Sequence, residues 1–224
     1  MYILYGGGFS RALAVQMVLE EADLDYELRD VDMDGGEHRG AEFLKLNPAG
    51  FTPALVTPEG PVLHEAAGIM LYLADHHALE DMAPLPGDPL RGVFLSKFFY
   101  FTNDVQPCVK RLGYPHRYSL KEGDEKLVRR HARARLIERL GVLESWLTDN
   151  GPWHLGDRFS LADLHLALWA AYGIETTSTI VDMFPAIGRV RAGVLERPKS
   201  GPLLQGLLDL MDGRRAAKPL ARAD

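Results

Sequence analysis

The chain has 224 residues, 46% apolar and 25% charged, ordinary for a globular protein and enough for one large domain or two smaller ones. Its formal net charge of −6 argues against a nucleic-acid partner, which needs a basic footprint. Cys108 is the only cysteine, so an intrachain disulfide and a cysteine-based zinc site are both excluded, in keeping with a reducing cytoplasm.

No basic segment precedes an apolar one at the N-terminus, and no apolar run approaches a membrane span, so neither a signal peptide nor a membrane partner is expected. Residues 2–5 read as a short strand ended by Gly6-Gly7-Gly8. A glycine turn after a first strand invites a dinucleotide-binding reading. The third glycine position of that fingerprint is Arg11 here, and its bulk would obstruct close helix–strand packing. Ser10 is a suitable N-cap, and residues 11–21 place Leu13, Ala14, Met17 and Val18 on a helical stripe. Asp23 ends that helix, and residues 26–33 alternate as a second strand. Strand, helix and strand at this spacing predict a parallel pair with a right-handed crossover. After Gly35-Gly36, residues 37–46 can form a short helix.

The next stretch, Asn47-Pro48-Ala49-Gly50-Phe51-Thr52-Pro53, turns at Ala49-Gly50 and places Pro53 at the head of the run Ala54-Leu55-Val56. Proline fits only the first residue or the edge of a strand, because it cannot donate to a ladder. An X–Pro bond needs only about 0.5–1 kcal/mol to become cis. A cis Thr52–Pro53 bond would turn the Thr52 N–H and C=O towards an extended, peptide-like ligand; with trans prolines the stretch is a plain loop-to-strand transition. Residues 54–57 and 61–63 flank Pro58-Glu59-Gly60 as a hairpin. A helix follows over residues 65–76.

Pro84, Pro86, Gly87 and Pro89 mark residues 81–89 as a linker between a domain at 1–80 and a second domain at 90–224. The second domain has no strand alternation. Helices are predicted over residues 90–109, 125–148, 161–172, 184–195 and 202–211, with a frayed polar tail from Gly213. Ser160-Leu161-Ala162-Asp163 has the form of a capping box with Asp in the acidic position, and it opens a helix apolar almost all round, hence central. His76 and His77 are adjacent, with no carboxylate or thiol cluster beside them, so no metal site is expected.

Four stretches together resemble the glutathione S-transferase family, in its order and at its spacing. They are the Tyr2-Ile3-Leu4-Tyr5 opening, Asn47 to Pro53, Glu65-Ala66 with Ile69 and Tyr72-Leu73, and Gly156 to Asp163. The resemblance implies a thioredoxin-like α/β domain followed by an all-helical domain. It implies a cytoplasmic homodimer that binds glutathione and uses its thiolate on small hydrophobic electrophiles. A non-catalytic glutathione-binding or scaffold member would share the fold, as would enzymes of peroxide reduction, ether cleavage or isomerisation.

The resemblance also implies roles. Thr52 and Pro53 hold the peptide edge. Glu65 takes the γ-glutamyl ammonium, and Ala66 offers its N–H to the γ-glutamyl carboxylate where the family usually has serine. His38, with Arg39 and Lys45 nearby, is the candidate for the glycyl carboxylate. The thiol-contacting residue is Ser10, Tyr5 or Arg11. Laid without gaps, the serine-type pattern falls on Phe9, the cysteine-type on Arg11 and the tyrosine-type on Tyr5. Tyr100, Asn103 and Asp104 are candidates for the electrophile pocket, with Tyr114, His116 and Tyr118 beyond. A free thiol has a pKa of about 8.5, and lowering it by about two units takes about 2.7 kcal/mol, within reach of one hydrogen bond to a charged group and a helix N-terminus.

Overall fold

The computed structural model describes residues 1–7, 10–174 and 179–217. Packing divides the chain at Leu85–Pro86 into two units. The segment from Gly193 on, assigned from sequence to the second domain, groups with the first unit.

The first unit is built on four strands, β1 (Tyr2–Gly6), β2 (Tyr26–Asp30), β3 (Ala54–Val56) and β4 (Val62–His64), in the order β2-β1-β3-β4. β1 and β2 are parallel with Tyr5 opposite Arg29; β3 runs antiparallel to both β1 and β4. Helices α1 (Ala12–Glu21), α2 (Ala41–Leu46) and α3 (Ala66–His76) complete the thioredoxin-like order. Side chains alternate across a strand, so Tyr5, Ala54 and Val62 meet Val31 and Phe43 of the α2 layer. Leu4 and Leu55 point to the opposite face, where Val18 and Leu19 of α1 and Ile69 and Leu73 of α3 are fully buried.

α1 starts one residue later than expected. Arg11 is its N-cap and caps nothing with its side chain, while the Ser10 hydroxyl accepts from the Ala12 N–H at 3.2 Å. A Cβ on Gly6 would lie 2.0 Å from the Ala12 Cβ. The close strand–helix approach is therefore made at Gly6. β2 stops at Asp30 rather than at residue 33. The Val31 N–H still reaches the Gly6 carbonyl, but the Asp32 N–H is taken by the Glu37 carboxylate and the Gly35 N–H by the Asp32 side chain. Those side chains close a loop, then a 3-10 turn (Glu37–Arg39) ahead of α2.

The second unit begins with a helical rod predicted over residues 90–109. It comprises α4 (Arg91–Tyr100), a π-helical stretch Phe101–Val105 and α5 (Gln106–Gly113). Pro107 explains the π stretch: it has no N–H for a bond to the carbonyl four residues back, and its ring would clash there. α6 (Glu125–Asn150) follows, then α7 (Leu161–Trp169), every residue of which is buried, then α8 (Ile180–Met183). α7 stops short of residue 172, where Ala170 and Ala171 turn the chain. α9 (Pro185–Leu195) and α10 (Ser200–Ala217) end the described chain. α10 outruns the predicted 202–211 and enters the segment expected to fray. Among the described residues no helix is long and apolar enough to cross a membrane.

α10 is tied to α1 by a polar network at its start. The Glu21 carboxylate, on a side chain only 6% exposed, accepts from Arg197 at 2.7 and 3.0 Å and from the Ser200 N–H and hydroxyl at 3.1 and 2.6 Å. Burial pushes the Glu21 carboxyl up, but the bonds from Arg197 and Ser200 outweigh it and hold the pKa below the usual value. A depressed carboxyl stabilises the fold above the ordinary pKa of about 4.3, and that stability is lost as pH falls to the lower folded value. Glu21→Gln should therefore flatten the acid limb of stability against pH below about 4.3, measured by urea unfolding across an acid series. An acid limb identical to the parent's would show that this carboxylate does not set it.

Candidate functional site

Three segments distant in sequence converge in the first unit. The turn before β3 is held by Asn47, whose side chain donates to the Phe51 carbonyl at 2.6 Å and accepts from the Ala49 N–H at 3.1 Å. Gly50 sits at φ 62°, a left-handed value that favours glycine. The Thr52–Pro53 bond is cis. Thr52 is buried, and its hydroxyl donates to the Met33 sulfur at 3.7 Å.

Arg11 reaches this turn from the start of α1. Its Nη2 donates to the Thr52 carbonyl at 3.2 Å, and its Nη1 lies 3.6 Å from a Glu65 carboxylate oxygen. The Arg11 side chain is 15% exposed and that of Glu65 71%. Glu65 is the N-cap of α3 at φ 67°, ψ 113°, a region non-glycine residues rarely enter. Its carbonyl accepts from the Ile69 N–H at 2.9 Å. Ala66 is the buried first residue of α3, so its N–H is among those with no acceptor inside the helix. A main-chain edge, a guanidinium, an exposed carboxylate and a helix start thus share one corner. This set can hold a zwitterionic head group: the carboxylate takes a cation, and the helix N–H groups take an anion.

The other candidates are placed as follows. Ser10 stays at the α1 start, with its hydroxyl on the Ala12 N–H. Tyr5 is not in this corner. Its hydroxyl accepts from Arg29 at 2.8 Å, and its ring meets Phe43 edge-on, on the α2 face of the sheet. His38 is half-buried in the 3-10 turn, and its carbonyl lies 3.1 Å from where a Cβ on Gly50 would stand, which sets the two turns side by side. Phe9 lies outside the described residues.

Described residues of the second unit line two cavities of note. Tyr100, Asn103 and Asp104 line one of about 270 Å³, together with Ser96, Lys97 and Val142. Its walls mix these polar groups with Phe99, Val142 and Leu143. Asp104 is 3.7 Å from Arg139, and the Tyr100 hydroxyl donates to the Arg139 carbonyl at 3.3 Å. Lys97 Nζ sits 3.6 Å above the Trp146 ring, and burial lowers its pKa. The other cavity, about 380 Å³, is lined by Val109, Leu112, Tyr172, Ile174 and Arg129 with two glycines. The sequence reading missed it, because it is assembled from α5, α6 and the turn after α7. Cys108, beside it in sequence, is buried; burial pushes its thiol pKa up, and its sulfur donates to the Asp104 carbonyl. Among the described residues no three His, Cys, Asp or Glu side chains converge as a metal site would need.

Comparison with known proteins agrees with this architecture. The glutathione S-transferase N-terminal domain matches residues 10–76 and the C-terminal domain residues 96–198. The chain is 31% identical over 201 residues to a maleylacetoacetate isomerase of Pseudomonas aeruginosa, covering 85% of this chain and 88% of that protein. It is 31% identical over 202 residues to a glutathione S-transferase of Hyoscyamus muticus, covering 87% and 93%. Among solved structures, glutathione transferase URE2P8 of Phanerochaete chrysosporium with oxidized glutathione superposes with a TM-score of 0.81 at 26% identity, over 94% of this chain and 96% of that one. Two matched domains in the right order, on a thioredoxin-like unit followed by helices, lead to one conclusion: the chain belongs to the glutathione S-transferase family.

Proposed function

We propose that the protein is a glutathione transferase that conjugates the glutathione thiolate to small hydrophobic electrophiles. The observation that carries this reading is the bridge made by Arg11 between the Thr52 carbonyl and the Glu65 carboxylate. Glutathione then lies along the Thr52–Pro53 edge. Its γ-glutamyl ammonium meets Glu65, its γ-glutamyl carboxylate the Ala66 N–H, and its glycyl carboxylate His38. The family's usual hydroxyl is missing at Ala66, which costs about 1 kcal/mol, a several-fold loss of affinity.

The cysteinyl sulfur follows the backbone held at Thr52, so the groups nearest the α1 start act on it. We assign the thiolate's stabilisation to the Arg11 cation, with the Ser10 hydroxyl as its neighbour. Tyr5 is committed to Arg29 on the other face. One charge-assisted hydrogen bond is worth about 1.5–3 kcal/mol, the size needed to lower a thiol pKa by about two units. Arg11→Ala should move the alkaline rise of kcat with an activated aryl chloride upward by about one to two pH units. Ser10→Ala should move it less. If Ser10→Ala alone costs tenfold or more in kcat, the hydroxyl is the activator and the assignment to Arg11 fails.

An apolar electrophile is better matched by the cavity of Val109, Leu112, Tyr172 and Ile174 than by the more polar one at Tyr100, Asn103 and Asp104, where Asp104 and Tyr100 are held by Arg139. Similarity to the isomerase favours a second reading, in which the thiolate adds to a substrate and is expelled again. Mass spectrometry of products separates the two, because only transfer leaves a thioether. Glutathione binding without turnover of any electrophile would point to a scaffold member. The family's homodimer is expected in solution, and light scattering reads it directly.

A further inference from the structure

The larger cavity of the second unit has apolar walls and one charged residue among its described lining, Arg129. Its guanidinium is not a free-swinging surface charge. Nη1 donates at 2.9 Å to the carbonyl of Leu112, itself a lining residue, so the cation is pinned at the cavity wall. The sequence around it is basic. Between residues 106 and 139 there are ten Lys and Arg against four Asp and Glu, in a chain whose net charge is −6. A cation held against apolar walls, in a locally positive segment, selects a ligand with an apolar body and an anionic end.

We infer that this cavity takes electrophiles that carry a carboxylate, with Arg129 as the specificity-determining residue. The inference rests on the transferase reading above and adds the substrate class. With an aryl chloride activated by nitro groups and bearing a carboxylate, the glutathione sulfur forms a bond to the ring carbon that carries chlorine. The carbon–chlorine bond breaks, chloride leaves with the bonding pair, and the thiol proton passes to solvent. The carboxylate is unchanged.

Binding is measured first, without chemistry. Calorimetry on the full chain compares para-nitrobenzoate with its methyl ester, which has the same body and no charge. The benzoate should bind about two- to fivefold more tightly at low salt, the range an exposed ion pair gives. Arg129→Gln should abolish that preference and leave ester binding unchanged. Arg129→Lys should keep most of it. Arg129 also holds the end of α5, so a purely structural role would weaken ester and benzoate alike and overturn the proposal. Equal affinity for the two probes in the parent chain, or no binding of either, also overturns it. The transferase reading is judged apart, by glutathione turnover of a neutral aryl chloride, and it survives either result if that turnover is seen. In turnover, the carboxylated aryl chloride should show the lower KM in the parent chain and no advantage in Arg129→Gln.

Discussion

Asp163→Ala should destabilise the protein by about 3–5 kcal/mol, the range for breaking a buried polar network by removing one partner. The side chain has no exposed surface and accepts four hydrogen bonds. One oxygen takes the His154 N–H at 2.9 Å and His154 Nδ1 at 2.7 Å; the other takes the Ser160 N–H at 2.8 Å and hydroxyl at 2.9 Å. Alanine leaves all four groups buried without this acceptor, and water does not reach them, since His154 is 2% exposed and Ser160 wholly buried. In a chain of this size each kcal/mol moves Tm by about 2–4 °C, so a fall of roughly 6–20 °C is expected. Asp163→Asn should recover only part, because its amide brings donors where acceptors are needed. Thermal scans with urea titrations check this. A fall below about 3 °C would mean the network relaxes and re-forms without the carboxylate.

Glu65→Ala is expected to act on the ligand instead. Losing the acceptor for the γ-glutamyl ammonium should weaken glutathione about tenfold or more, since a hydrogen bond to a charged group contributes about 1.5–3 kcal/mol. The exposure of Glu65 puts the effect towards the lower end of that range. Glu65→Gly should weaken glutathione equally but raise Tm by a few degrees, because glycine adopts φ 67° without the roughly 1–3 kcal/mol strain that other residues carry. Calorimetric titration and thermal scans on both variants test the pair. Unaltered glutathione affinity in Glu65→Ala would remove the anchor from the site.

The sequence displayed the parts of this site that depend on local chemistry. Asn47, Gly50 and Pro53 announce a turn before a short strand, and Ser160 with Asp163 announces a helix start, because each acts on neighbours within a few positions. Arg11 shows the opposite case. Its contacts with Thr52 and Glu65 come from a flexible side chain reaching across the fold, and nothing at positions 9–13 signals them. Tyr5 could be placed on a strand but not on a face, since the face is fixed by pairing with β2 and by Phe43. The apolar cavity draws walls from three helical regions, so no local window contains it. α10 starts two residues before its apolar stripe, where Glu21 holds Arg197 and Ser200 from a distant segment.

Pro107 has an effect beyond its own turn. The π stretch ahead of it accommodates one extra residue, which rotates everything after it by roughly 100° about the rod axis relative to an unbroken α-helix. Tyr100 and Asn103 border one hollow and Val109 and Leu112 another, on a single rod. One imino acid thus sets the phase between two compartments, and a one-residue deletion within 101–105 would re-aim the whole downstream half.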